Sequence, residues 1–477
     1  MPLTPEQARV ARAAGPVVRV TAYAGTGKTS SLVAWAEAHR AIRTLYVAFN
    51  KSVQLEASQR FPRSVAAKTG HALAWQAQGA RYRDKLVATV KPWELVQAGL
   101  IRRVPAGLEA VWADVIWRTV QGFLASSDET VLAKHVPLGP LDWQGPFAWA
   151  DPHRAVVDAN RVWQRMQDPN DKQVGMVHDG YLKLFVLSRP RLPYDAILLD
   201  EAQDANPVLL QLLRQQPQAR QLFVGDPLQA IYGWRGAVNA MAAIRPHQDL
   251  RLTASFRFGP RIAAWATAML RWFDTGLPPL TGLGPAAGHV YRGVGGPPAT
   301  FIARSNARLF AEAVGWLDRL PQATLSWVGG IDGYRLDWLA DTARLYLRDR
   351  PGLPFLQLFS DFDALKDYAD TVEDIEWQGR CRAVERWGRR LPSLIQRVRA
   401  ASTDDAAAPI QLATIHKAKG LEWPHVVILD DLAPLNADLS AEDHHLWYVA
   451  MTRATQRLGL PDEAVDRLTA RHASVIH

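Results

Sequence analysis

The chain has one cysteine, Cys381, in 477 residues. That excludes an internal disulfide framework and a multi-cysteine zinc or iron–sulfur site, because each needs several thiols. No apolar run approaches the roughly 18 residues of a membrane-spanning helix. The first residues, Met-Pro-Leu-Thr-Pro-Glu, lack the basic-then-apolar layout of a signal peptide. No internal repeat shows by residue identity. An intracellular protein with no membrane partner is expected.

What is present is ordinary globular material. Hydrophobic residues make up 48% and charged residues 21% of a 53.0 kDa chain, too long for one core and expected to form two to four domains. The net charge of +8 and pI near 9.6 fit a polyanionic partner. With 18 Trp, 11 Tyr and 14 Phe, some aromatic side chains are available to stack on bases, although most belong in the core.

The stretch that organises the chain is Ala22-Tyr23-Ala24-Gly25-Thr26-Gly27-Lys28-Thr29, which follows the apolar run Val17 to Val20 and precedes a helical segment from Ser30 to His39. Strand, glycine loop and helix together make a phosphate cradle: backbone N–H groups turn inward, the helix adds its positive end, Lys28 reaches the outer phosphates and the Thr29 hydroxyl suits Mg²⁺. The first position is Ala22 instead of glycine, so Gly25 and Gly27 carry the motif. A glycine turn before a surface helix has the same local pattern. What favours the phosphate reading is Ala196 to Leu199, an apolar run ending in Asp200-Glu201, 172 residues beyond Lys28. Two adjacent carboxylates on a strand end supply a metal support and a general base for a nucleotide hydrolase.

Thr4, Pro5 and Gln7 mark a capped helix start, with the helix running as far as Ala14. Thr44 to Phe49 and Val65 to Thr69 read as strands, which places Asn50, Lys51, Thr69 and His71 at their C-terminal ends, where ligands bind in parallel sheets. From 81 to 173 strand patterns disappear, and a helical insertion is expected. Gln221 to Val224 is a further strand, followed by Gln229, Tyr232, Trp234 and Arg235. Thr253 to Phe258 closes the first half, and the Gly/Pro-rich stretch from Gly276 to Pro298 reads as a linker. A second α/β unit begins at Ala299 to Asn306. It continues through strand-like Ser326 to Gly330, a charged helical region over 352–408, strands at Ile410 to Ile415 and Val426 to Leu429, and a helical run from Leu446 to Thr455.

With these motifs in order, the chain resembles the superfamily 1 DNA helicases of the UvrD/Rep/PcrA type. The matching pieces are Gln7, AYAGTGKT at 22–29, VAFNK at 47–51, KTGHALA at 68–74, LLDEAQD at 198–204 and VGDPLQAIYGWRGA at 224–237. TASFRF at 253–258, TIHKAKGLEW at 414–423 and YVAMTRAT at 448–455 complete the set. HDGYLKL at 178–184 and the FNK triplet point to the F-box-helicase-like branch, here without an F-box segment.

The resemblance implies an α/β fold of two RecA-like P-loop domains, each a parallel sheet with flanking helices. Domain 1A would occupy 1–80 and 174–280, helical insertion 1B 81–173, domain 2A 281–345 and 409–477, and a reduced 2B-like insertion 346–408. It implies ATP and Mg²⁺ as cofactors. Gln7 would read the adenine edge, Phe256 would stack on the base, and Ala24, Gly25, Thr26, Gly27, Lys28, Thr29 and Ser30 would cradle phosphate. Thr29 and Asp200 would hold the metal, and Glu201 would be the general base. Gln229 would couple the γ-phosphate to DNA, Arg257 and Arg453 would contact phosphate, and Gly420 and Glu422 would lie at the sugar end. Phe49, Asn50, Thr69, His71, Tyr232, Trp234, Arg235, Thr414 and His416 would line the DNA channel.

The activity implied is that of an ATP-dependent 3′→5′ helicase or single-stranded DNA translocase in repair or recombination, cytoplasmic and, as a bacterial protein, associated with the nucleoid. It would be a monomer in solution, with single strands and single–double-strand junctions as partners, and recombinases or single-strand-binding proteins as further ones. The alternatives are a translocase that strips bound proteins with little unwinding, and a nucleotide-gated nucleic-acid-binding module.

Overall fold

The computed structural model describes residues 2–137, 149, 151–231, 240–272, 274–293, 295–353, 355–371 and 374–476. By internal contacts the chain forms two compact units, Met1–Ala22 with Gly27–Leu252, and Tyr23–Thr26 with Thr253–His477.

The first unit holds six strands: β1 (Val17–Ala22), β2 (Thr44–Ala48), β3 (Val65–Thr69), β4 (Ala196–Leu199), β5 (Arg220–Gly225) and β6 (Gln248–Leu252). They pair in the order β3-β2-β4-β5-β1-β6, and every pairing is parallel. β2 and β4 are buried along their whole length, as central strands covered on both faces must be. The pleat sends alternate residues to two cores. Tyr46 and Leu198 join Val10, Leu32 and Trp35 on one face, whereas Leu45, Val47, Ile197 and Leu199 join Trp112, Ile116, Val120 and Phe123 on the other. The helices Glu109–Ala125 and Pro152–Gln167 therefore share a core with the sheet. No strand occurs between Gly70 and Asp195 among the described residues.

The second unit is built on seven parallel strands: β9 (His289–Arg292), β10 (Ala299–Ala303), β11 (Leu325–Trp327), β12 (Ser402–Thr403), β13 (Ile410–Thr414), β14 (Trp423–Ile428) and β15 (Ala454–Leu460). Their order is β12-β11-β13-β10-β14-β15-β9. A separate two-strand pair joins β7 (Ala254–Ser255) to β8 (Thr281–Gly282). Helices Phe362–Thr371, Ile375–Trp387 and Leu391–Ala400 bury Leu365, Trp377, Val384 and Leu394 in the core that contains Phe301, Leu412 and Val427.

Three local expectations differ from what is observed. The first helix stops at Ala11 instead of Ala14, where the Ala13 carbonyl accepts from the Trp35 indole at 2.8 Å. The run expected to stay helical to Thr455 ends at Met451. There the Thr452 hydroxyl bonds back to the Tyr448 carbonyl at 2.8 Å, and Ala454 onward pairs with β14 in the register Val426 to Leu458. Strand pairing at a distance overrides the local helical pattern. The Gly/Pro-rich linker contains β8 and the edge strand β9, which pairs with β15.

No helix among the described residues is long and apolar enough to cross a membrane.

Candidate functional site

Strand order assembles the first part of the site. β4, β5 and β1 are neighbours, so Asp200, Asp226 and the loop leading to Lys28 leave the sheet side by side at its C-terminal edge. Gly27, at φ 77°, caps the helix Lys28–Ala38 in the left-handed region, which glycine enters without a Cβ penalty. Lys28 Nζ lies 2.9 Å from Glu201 Oε2. Thr29 Oγ1 donates to Asp200 Oδ2 at 2.7 Å, and the Tyr46 hydroxyl donates to the same oxygen at 3.1 Å.

One lysine thus faces three carboxylates, and the titration behaviour follows from that imbalance. Burial pulls Lys28 down, but Glu201, Asp226 and Asp200 outweigh it, and its pKa is raised. Asp200 is pushed up by burial and then by the charge of Glu201, more than Lys28 and the Thr29 hydrogen bond offset. Burial also raises Asp226. The pocket is short of positive charge. The all-oxygen donor pair of Thr29 and Asp200 fits Mg²⁺, a hard cation that takes one or two protein ligands and fills the rest with water and phosphate. No group of three or more His, Cys, Asp or Glu side chains suited to a metal occurs among the described residues, so a cage made wholly of protein is not what these residues offer.

Three residues absent from the sequence expectations complete the network. Asp226 is buried and accepts from Gln229 Nε2 at 2.6 Å. Gln203, fully buried, donates to Glu201 Oε2 at 2.7 Å and to Asp204 Oδ2 at 3.1 Å, and accepts from the Asp226 backbone N–H at 2.9 Å. Tyr46 braces Asp200. Asp226 and Gln203 lie inside stretches already singled out, and Asp226 ends a strand as Asp200 does; Tyr46 had no signal beyond an apolar run. Glu201 itself adopts φ 50°, an uncommon conformation for a residue with a side chain.

Gly225 is fixed by this network. A Cβ there would lie 2.4 Å from Gln203 Oε1 and 3.1 Å from the Ala202 backbone nitrogen. Gly225→Ala is therefore expected to cost about 1–3 kcal/mol of stability. If this site hydrolyses a nucleotide, displacing Gln203 and with it Glu201 should lower kcat on the order of tenfold or more while KM changes less. Thermal unfolding and steady-state kinetics measure the two effects.

The other expected nucleotide residues fall in different surroundings. Gln7 closes a capping box with Thr4, its Oε1 accepting from Thr4 N and its N–H donating to Thr4 Oγ1, both at 3.1 Å. Ser30 accepts from Arg60 at 3.1 Å. In the second unit, Gly25 (φ 72°) accepts from Phe256 N–H at 2.8 Å, and its Cβ would fall 2.5 Å from Ser255 Oγ. Ala24 N–H donates to the Tyr448 hydroxyl at 3.1 Å, and the Thr26 hydroxyl to the Tyr23 carbonyl at 2.8 Å. Arg257 pairs with Glu422 at 2.6 Å and donates to the Thr452 carbonyl at 2.9 Å. Arg453 is buried, donating to the Val449 and Leu421 carbonyls at 2.9 and 3.2 Å. Gly420 has φ 84°.

The expected nucleic-acid residues separate likewise. In the first unit Phe49 is 56% exposed and lines a cleft of about 860 Å³ with His71, Trp117 and Asp179. His71 Nε2 lies 2.9 Å from Asp179 Oδ1. Asn50 and Thr69 cap the helices that follow their strands, accepting from Val53 N–H at 2.9 Å and Ala72 N–H at 3.1 Å. In the second unit Thr414 caps the short helix Ile415–Ala418, which carries His416. The neighbouring Lys417 ammonium sits 3.7 Å from the Tyr334 ring centre. Tyr232, Trp234 and Arg235 lie outside the described residues.

The fold and the first unit's site define a P-loop nucleotide-binding protein with two parallel-sheet units. Residues 181–244 match the UvrD/REP helicase N-terminal domain family, and residues 364–461 match the UvrD-like helicase C-terminal domain family. The chain is 33% identical over 506 aligned residues to F-box DNA helicase 1 of Gallus gallus, covering 98% of this chain and 50% of that protein. It is 29% identical over 504 to F-box DNA helicase protein 1 of Schizosaccharomyces pombe, covering 94% and 56%. The chain belongs to the superfamily 1 helicases of the UvrD/Rep/PcrA type and is related to the F-box helicase branch. It spans about half the length of the curated relatives it matches.

Proposed function

We propose that this chain is an ATP-driven motor on DNA, a DNA-stimulated ATPase that moves 3′→5′ along a single strand and separates duplex ahead of it, in repair or recombination. The observation that carries the reading is the convergence of Lys28, Thr29, Asp200 and Glu201 at the C-terminal ends of β1 and β4, the two strands that flank β5.

In this reading Lys28 leaves Glu201 for the outer phosphates when ATP binds, which releases the carboxylate to accept a proton from the attacking water. Gln203 and Asp226 hold Glu201 and Gln229 in place during that step. Thr29 and Asp200 would hold Mg²⁺, which neutralises charge on the β- and γ-phosphates. Arg257 and Arg453 are assigned to phosphate, Gln7 and Phe256 to the base, and Gly420 and Glu422 to the sugar end. Phe49 supports a stacking role, being one of three exposed aromatic residues, with Trp93 and Tyr346, among those described. Stacking of roughly 1–3 kcal/mol per base gives grip that each cycle can break. Helices of 81–173 would be the 1B insertion and those of 346–408 a reduced 2B.

The small size of the 346–408 region, whose helices share their unit's core, favours a second reading: a translocase that strips proteins from DNA with little unwinding. Partial duplexes with 3′ or 5′ tails, assayed for strand release beside ATP turnover, decide the matter. Release from 3′-tailed substrates alone is expected. Equal turnover on both without release overturns the helicase reading in favour of the translocase.

A further inference from the structure

The chain's positive charge is concentrated. Residues 375–400 hold seven arginines against two glutamates, a net +5 within a chain of +8. Three of the seven have carboxylate partners: Arg380 pairs with Glu376 at 3.1 Å, Arg397 with Asp318 at 2.5 Å and Arg399 with Asp332 at 3.4 Å. Glu385 is taken by Lys366 at 2.6 Å. Arg382, Arg386, Arg389 and Arg390 are exposed, and none has a carboxylate partner among the described residues.

Two of these four line a cleft of about 570 Å³ in the second unit. Arg382 and Arg386 are four residues apart on the helix Ile375–Trp387, so they project from one face. The Arg386 guanidinium lies 5.1 Å from the Trp387 ring centre, a stack that limits its motion before any ligand arrives. The opposite wall is the C-terminal edge of the sheet, where β10 runs into Arg304 and β14 into Asp430. That edge is where parallel sheets bind ligands.

The acidic groups at this edge are already engaged. Asp430 accepts from Arg308 Nε at 2.6 Å, which holds its pKa down against burial. Asp431 accepts from the backbone N–H groups of Arg304 and Ser305 at 2.9 and 2.8 Å and from the Ser305 hydroxyl at 2.8 Å. Arg304 itself pairs with Asp443. The cleft therefore presents two guanidinium forks with no carboxylate partner among the described residues, facing an Asp430 already paired with Arg308 and an Asp431 already hydrogen-bonded to Arg304 and Ser305.

We propose that Arg382 and Arg386 form a second nucleic-acid contact, a clamp on the phosphodiester backbone of DNA that is separate from the stacking and strand-end residues assigned above. It rests on the proposal that this chain binds DNA. Guanidinium forks match phosphate oxygens in bidentate geometry and read no base edge, so the contact is independent of sequence and sensitive to salt.

The test measures affinity for a tailed duplex against salt concentration by anisotropy, for wild type and for Arg382→Gln/Arg386→Gln. Each lost phosphate contact removes about 0.9 from the slope of log K against log salt on duplex, or about 0.7 on a single strand. The double variant should bind roughly 25- to 60-fold more weakly at 0.1 M salt, with a slope shallower by about 1.4–1.8. Arg382→Lys/Arg386→Lys should regain most of the slope. Arg43→Gln/Arg63→Gln, which changes net charge equally at the opposite ends of first-unit strands, should leave the slope near wild type. If wild type binds and the Gln variant keeps its affinity and slope, or if the charge control loses as much, the clamp is wrong and the function reading stands. If wild type binds no DNA, both fall. Unfolding temperatures of all variants establish that they are folded.

Discussion

Lys28→Ala is expected to reduce ATP turnover roughly a thousandfold and, at pH 7.5, to cost about 3 kcal/mol of stability. Both effects come from the same geometry. In the proposed function Lys28 is the cation for the outer phosphates, and in this structure it is the counter-charge for Glu201, Asp226 and Asp200. Removing it leaves three carboxylates facing one another. The stability figure is at the low end for a broken buried pair because Glu201 is 39% exposed and water screens it.

The loss should depend on pH. Asp200 and Asp226 already have folded pKa values above those of the unfolded chain, so each favours the fold most when protonated and less as pH rises through its folded pKa. Deleting Lys28 raises both further. The stability gap between variant and wild type should therefore narrow as pH is lowered from 7.5 toward 5. Denaturant unfolding at the two pH values measures this, and a gap that widens on acidification contradicts the account.

Glu201→Gln is the second large effect. It is expected to lower kcat for ATP hydrolysis by about 10²–10⁴-fold, the usual contribution of a positioned general base, while leaving DNA affinity within a few-fold of wild type. The amide keeps the side chain's shape, and its oxygen can still accept from Gln203 Nε2, which donates to Glu201 Oε2 at 2.7 Å. Replacing the carboxylate removes its ion pair with Lys28 at 2.9 Å but also its repulsion with Asp200, and Asp226 and Asp200 remain as counter-charges for Lys28, so the net change in stability should be small. Single-turnover hydrolysis and anisotropy with labelled single strands separate the two readouts. If turnover survives, Glu201 is not the base; if DNA binding is lost together with turnover, the arrangement at β4 supports the interface as much as the chemistry.

Most of the frame was legible in the chain because its signals are local. β3 and β4 occur at the limits read from apolar runs, Val65–Thr69 and Ala196–Leu199. The Thr4–Gln7 capping box forms as its residue pattern requires. β9 and β15 were not legible. His289–Arg292 and Ala454–Leu460 have weak β patterns and are held as strands by pairing with each other and with β14.

The site divides along the same line. By itself the sequence determined the glycine loop at 22–29, the carboxylate pair and the family, because each is a short string legible from its own neighbours. Tertiary structure alone decided that β4, β5 and β1 stand side by side, which brings Asp226 and Gln203 to Glu201 and Tyr46 to Asp200. It also decided which of the seven arginines in 375–400 are spent on ion pairs and which remain open. The reason is physical: charge compensation depends on distances between residues far apart in the chain, and those distances exist only once the sheets have formed.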